Sequence, residues 1–405
     1  MLPLKVTPMR IHLRRLILAC LGVAALFAGP MARALTVDTI LNGGIKARLA
    51  TFELPGQSSE LRSVVADGRD GLFMIVSARS EGEDASATRL LSVTGKLSSP
   101  VDLRSQALRA PGALSAALGV NDASPLAASM LAADTQGTPY AVAVLLNGAV
   151  QLTRFGISGR VEQTFDVALE LRSVSIRRFV TMGSGGFLIV GSAGARPLVV
   201  AINGAGKVLQ RFVIAEDDAA AVAAALLSDG KIAVLVEKGT PNDPRFLLAT
   251  LQREGGVGAR VEFAGRPMEI AAGAQGQLVA LIERQGVASR ELVGIGFGSR
   301  LQMQWQRSLL VERGLLARFR IVALPKGDFL VAGRKDRGLW LSRLSERGTE
   351  VWSSWTDPRQ SAELEMTLDV DLARSGDDVL LAYSAMVVRD RRQSAVVRAM
   401  LFRLD

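Results

Sequence analysis

The chain is poor in the residues that carry most enzyme chemistry. Its 405 residues include one cysteine, Cys20, one histidine, His12, and two tyrosines, and only 5% are aromatic. Cys20 and His12 both fall in an N-terminal stretch that reads as a leader. Lys5, Arg10, Arg14 and Arg15 precede a nearly apolar run from Leu16 to Gly29, and Ala32-Arg33-Ala34 fits a small-x-small cleavage site. Residues 1–34 are therefore expected to be a cleaved secretory signal peptide. The apolar run is short of the ~20 residues that a membrane helix needs. No later segment is longer, so no stable membrane span is expected after cleavage.

Cleavage sharpens the exclusions. A mature chain without cysteine or histidine forms no internal disulfide and has no thiolate, Cys–His or Ser–His machinery. It also lacks the usual ligand sets for zinc, copper or haem, and no cofactor is expected. The leader holds five basic and no acidic groups, so its loss lowers the formal charge from +9 to +4. A nucleic-acid partner is not expected from that balance or from an exported compartment.

What the sequence has in abundance is short apolar runs separated by glycine turns. Equivalent positions Val142, Phe187, Ile232, Leu278, Phe329 and Val379 recur at intervals of 45, 45, 46, 51 and 50 residues. The clearest unit runs from Leu316 to Trp355, with runs at Phe329–Ala332, Leu339–Leu344 and Glu350–Trp355. Each unit reads as a four-stranded antiparallel meander, and a regular array of such meanders favours a β-propeller. The fold class expected is all-β, a single seven-bladed β-propeller over residues 35–405. A lone N-terminal strand, Ile45–Leu54, is expected to complete the last blade and close the ring. Residues 104–124 fit the frame poorly and read as a blade connection or insertion. Eight blades is the alternative if residues 104–139 hold a further degenerate unit, and six if one unit is misassigned.

The phrases Leu324–Gly333 (LPKGDFLVAG), Met182–Gly191 (MGSGGFLIVG) and Leu227–Val236 (LSDGKIAVLV) carry the repeat best. They resemble a class of bacterial propeller repeats in which a DG or GG turn precedes a strand such as F-L-V-A-G. The chain is similar to proteins with the delta-60 repeat and, more distantly, to those with quinoprotein-like blades. The first, second and fifth units depart from that pattern. The resemblance implies a blade and no particular activity.

Candidate binding residues are few. Arg177-Arg178, Arg334 with Arg337, and Arg389 with Arg391 and Arg392 are locally dense and could form a docking surface for a carboxylate-rich partner. Trp352 and Trp355 stand three apart, which places them on opposite sides of an ideal strand, one between blades and one toward the outer surface. Arg177, Arg178, Arg334, Arg337, Trp352 and Trp355 are the candidate rim. Asp369 and Asp371 share one strand face and are weak metal candidates. Ser158 and Ser184 lie beside glycines without a histidine to activate them. The reading is an exported, periplasmic or secreted, non-catalytic module that binds or assembles with an envelope or extracellular protein. The alternative is a polysaccharide-binding or carbohydrate-active propeller, which would need exposed aromatics or paired carboxylates around one rim.

Overall fold

Among the described residues, alternating and continuous apolar runs fold into twenty-eight strands grouped as antiparallel sheets. The computed structural model describes residues 46–52, 57–66, 72–80, 86–93 and 101–102. It also describes residues 130–403 apart from 146, 157–160, 184, 314–315, 317, 357–363, 376–377 and 390–391. The expected leader and the expected connection at 104–124 lie outside the described residues, as do Ser158 and Ser184.

Among the described residues the strands of this β-propeller group into seven sheets. After β1 (Lys46–Phe52), the first sheet holds β2 (Gln57–Ala66), β3 (Leu72–Ser80), β4 (Ser86–Val93) and β5 (Val101–Asp102). The second holds β6 (Met130–Ala133), β7 (Pro139–Val144), β8 (Val150–Phe155) and β9 (Val161–Val167). The third holds β10 (Val174–Thr181), β11 (Gly186–Ala193), β12 (Arg196–Asn203) and β13 (Val208–Phe212). The fourth holds β14 (Ala220–Leu226), β15 (Ile232–Thr240), β16 (Asp243–Leu251) and β17 (Val257–Ala264). The fifth holds β18 (Arg266–Ala272), β19 (Leu278–Gln285), β20 (Arg290–Phe297) and β21 (Met303–Glu312). The sixth holds β22 (Arg320–Ala323), β23 (Phe329–Lys335), β24 (Gly338–Leu344) and β25 (Glu350–Trp355). The seventh holds β26 (Leu364–Ser375), β27 (Asp378–Arg389) and β28 (Arg392–Arg403), with β1 beside β28 from Lys46↔Arg403 to Phe52↔Val397.

The expectation of a closed ring of seven like blades is corrected by the first sheet. Among the described residues its outer strand is Val101–Asp102 alone, paired through Leu91↔Asp102 and Ser92↔Val101. The physical reason is length: a two-residue strand forms only two ladder pairs and adds little surface to a sheet. Among the described residues the ring has six full blades and one reduced sheet.

Burial falls from the centre of each full blade outward. The second and third strands are covered on both faces and read as continuous apolar runs, as in Phe187–Val190 and Leu198–Ile202. Outer strands alternate, as in β17. Between neighbouring sheets lies an apolar cluster. Phe246, Val293 and Phe297 pack between the fourth and fifth, and Phe319, Phe329 and Trp340 between the fifth and sixth. Leu341, Val379 and Tyr383 pack between the sixth and seventh. Each blade therefore buries its flat faces against its neighbours.

The glycine that ends F-L-V-A-G has a packing role. A Cβ at Gly333 would enter the Phe319 ring, and one at Gly191 would meet the Ser175 carbonyl oxygen. The alanine-rich segment Ala220–Leu226 is an inner strand, with Ala221 and Ala223 fully buried.

Candidate functional site

The first strands of successive sheets contact one another around the ring and line its centre. Several carry a bulge at the same level, where the register skips Arg62, Arg177, Val222, Met268 and Leu368. A bulge adds one residue and re-aims the side chains beside it. The residues that follow it include Ser63, Arg178, Glu269 and Asp369.

These residues form a hydrogen-bonded circuit around the centre. Arg178 donates through Nη2 to Glu269 Oε2 at 2.6 Å, and Arg320 Nη1 lies 3.4 Å from the same oxygen. Arg320 Nε donates to Asp371 Oδ1 at 2.8 Å, and the Val64 N–H donates to Asp371 Oδ2 at 2.9 Å. The Leu131 N–H donates to Ser63 Oγ at 3.2 Å, and the Thr181 hydroxyl donates to the Ala133 carbonyl at 2.6 Å. The circuit thus runs through six sheets. It passes over the fourth, whose inner strand is largely alanine. Exposure of the charged side chains is low, 22% for Arg178, 10% for Glu269, 12% for Arg320 and 15% for Asp371.

The electrostatics follow from that burial. Desolvation acts to lower the Arg320 pKa, but the Asp371 and Glu269 carboxylates outweigh it and hold the group above its ordinary value. Burial raises the Asp369 pKa, opposed by Arg318 and Arg320. Arg318 Nη1 lies 2.9 Å from Asp369 Oδ2. Asp371 is therefore partnered by Arg320 of the neighbouring inner strand, and Asp369 by Arg318 just before it. Among the described residues, no group of three or more acidic, histidine or cysteine side chains could hold a metal.

A second charged region opens at the rim, where the third, fourth and fifth sheets meet. It lies on the face that carries the β11–β12, β15–β16 and β19–β20 turns. A cleft of about 650 Å³ is lined there by Arg177, Lys238, Arg266 and Arg290 together with Asp218, Glu237 and Glu283. Arg177 Nη1 donates to Glu237 Oε2 at 2.8 Å, and Arg266 Nε donates to Glu237 Oε1 at 3.1 Å. Arg266 Nη1 lies 3.9 Å from Glu283 Oε2, and Arg290 Nη1 donates to Glu283 Oε1. The result is an alternating row of three arginines and two glutamates. Lys238 is drawn aside to Glu216 and Glu262, whose hydrogen bonds raise its pKa.

The sequence candidates separate on this map. Arg177 and Arg178 are neighbours, yet the bulge sends Arg177 to the rim cleft and Arg178 to the centre. Arg334 and Arg337 lie at the β23–β24 turn, far in sequence from both. Arg337 is exposed, and its carbonyl accepts from the Thr367 N–H. Asp336 and Arg337 both have positive φ, the backbone of a tight two-residue hairpin.

The tryptophans pack within and between blades. Trp355 donates to the Lys335 carbonyl at 2.8 Å, with the Lys335 ammonium 5.2 Å from its ring centre. Trp352 packs against the cluster between sixth and seventh sheets and Trp355 against that between fifth and sixth. Their opposite-face placement holds, but neither is a free outer platform. Trp305 donates to the Glu346 carbonyl at 3.0 Å, and Gly294, Gly296 and Gly348 lie beside its ring. These residues do not form the rim of aromatics and paired carboxylates that a glycosidic reading required.

Residue-by-residue reading missed Glu269, Arg320, Glu237, Glu283, Arg266 and Arg290. A signal was present. Arg178 and Glu269 are 91 residues apart, and Glu269, Arg320 and Asp371 follow at 51 and 51. Those are whole multiples of the blade frame, so charge recurs at one level of the repeat.

A scan of protein-family models and a search of curated proteins find no match to this chain. Among solved structures, it is similar to a protein of unknown function from Dyadobacter fermentans. The identity is 11% and the TM-score 0.48, over 90% of this chain and 100% of that one. It is similar to the WD40 domain of Toxoplasma gondii coronin at 10% identity and a TM-score of 0.47, over 89% and 87%. A bat influenza N11 neuraminidase-like protein is 10% identical with a TM-score of 0.41, over 67% and 86%. Likenesses this distant carry no argument about activity. The propeller stands on the chain's own sheet order.

Proposed function

We propose that this chain is an exported, non-catalytic binding module that docks an envelope protein through the face bearing the rim cleft. The reading is supported by one contrast. Charged side chains at the centre are buried against one another, whereas in the cleft Arg177 and Arg266 share Glu237 and keep part of their surface open to solvent. Arg266 and Arg177 are 57% and 39% exposed. A propeller supplies a rigid frame, and recognition residues commonly sit on the loops of such frames. Export fits the basic and apolar leader, and intact mass of the soluble protein checks it: retention of residues 1–34 would contradict cleavage. Affinity capture from the native envelope tests the function. Enrichment of a protein over a control propeller of unrelated sequence is expected. Equal recovery by both would overturn the reading.

A further inference from the structure

We infer that the rim cleft binds an acidic peptide segment of a partner protein, with Arg177 and Arg266 as its carboxylate-reading residues. The inference rests on the binding-module reading and names the ligand chemistry of that site.

The guanidinium groups are preorganised but not used up. Glu237 takes one nitrogen from Arg177 and one from Arg266, and Glu283 takes one from Arg290. Among the described residues these guanidinium groups make no other hydrogen bond. Each planar fork is thus held in place by a glutamate while further N–H donors face the cleft. Carboxylates match that fork, and fixing the donors beforehand lowers the entropy lost on binding. The lining holds four basic and three acidic residues, with Lys238 paired to Glu216 and Glu262 outside it.

The walls narrow the ligand class. Gly194, Ala195, Ala219, Pro241 and Pro244 make a floor and edge of small or rigid apolar groups, and the lining contains no aromatic residue. A sugar would find no ring to stack on. An extended peptide finds apolar surface for its backbone and arginines for its side chains. Val287 stands fully exposed in the β19–β20 turn, between the lining residues Gln285 and Arg290. It offers contact to an apolar residue flanking the acidic ones. The volume falls within the roughly 300–1,000 Å³ usual for ligand clefts.

The test is fluorescence anisotropy of a labelled hexaglutamate peptide titrated with the full chain. Binding should occur at low salt and weaken as salt rises, because exposed charges are screened. Arg266→Gln and Arg177→Gln should each weaken it about ten-fold, the scale of one charge-assisted hydrogen bond. Both variants should fold, since Glu237 keeps an arginine in either case and Glu283 keeps Arg290. Thermal unfolding checks this. Arg347→Gln, at the β24–β25 turn on the opposite face, should bind as the unsubstituted chain does. No binding of hexaglutamate, or equal affinity of the folded Arg266→Gln and Arg177→Gln variants, would overturn the inference. Tighter binding of oligogalacturonate than of hexaglutamate would overturn it in favour of an acidic glycan. If those variants still capture an envelope protein undiminished, the cleft inference fails while the binding-module reading stands. If no form captures one, that reading fails.

Discussion

The centre of the ring and its rim cleft are built from the same residue types, arginine against glutamate or aspartate, and they do opposite things. At the centre, Arg178, Glu269, Arg320 and Asp371 are largely buried and saturate one another. Ion pairs in such places add little net stability, because desolvation offsets their attraction, but breaking one leaves an uncompensated buried charge. At the rim, Arg177 and Arg266 are tethered and still open. Solvent screening makes such pairs worth little to the fold and leaves them free to recognise a ligand. Depth in the ring, not residue identity, decides whether a charge is spent on architecture or presented to a partner.

The largest expected effect breaks the centre. Arg320→Ala removes the shared partner of Glu269 and Asp371, and urea unfolding should show a loss of roughly 3–5 kcal/mol. A change as small as that of an exposed pair would erase the distinction between centre and rim.

The next tests how rigidly the centre is held from behind. Gly333→Ala pushes a methyl group into Phe319, whose carbonyl accepts from Arg320 Nη1 at 3.3 Å. Overpacking of this kind costs about 1–3 kcal/mol, readable as a lowered midpoint in the same unfolding assay. Unchanged stability would mean that the ring of Phe319 has room to move.

The smallest effect is a pH dependence. Burial raises the Asp369 pKa, with Arg318 and Arg320 only partly opposing it, so the folded chain holds this proton more tightly than the unfolded chain does. Its contribution to stability is fully present below the unfolded pKa and is lost as pH rises through the folded one. Asp369→Asn removes that component. The stability of the unsubstituted chain relative to Asp369→Asn should therefore be greater at acid pH than at neutral pH. A difference that is constant with pH, or that grows toward neutrality, would show that the arginines dominate instead.

Much of the blade frame was legible because it rests on local rules. Period-two alternation, glycine turns and a recurrence near 45–50 residues locate strands such as Phe329–Lys335 and Val174–Thr181 within a few residues. The reduced first sheet was less legible, since a strand of two residues such as Val101–Asp102 is too short to show a period-two pattern. The sites were harder still. Arg177 and Arg178 looked like one basic patch, and a single unpaired bulge residue separates them into two regions. Trp355 looked like a rim aromatic, yet its indole N–H is committed to the Lys335 carbonyl.

By itself, the amino-acid sequence determined a repeated all-β chain with its apolar strands, its turns and a narrow range of chemistry, because strand pattern and residue type are local properties. Only the tertiary structure decided which charges meet. Glu269 lies 91 residues from Arg178 and 51 from Arg320. Bending the sheets into a ring brings those three together at the centre and spreads Arg177, Glu237, Arg266 and Glu283 across a cleft. Burial and partnership belong to that ring, and no stretch of the chain carries them alone.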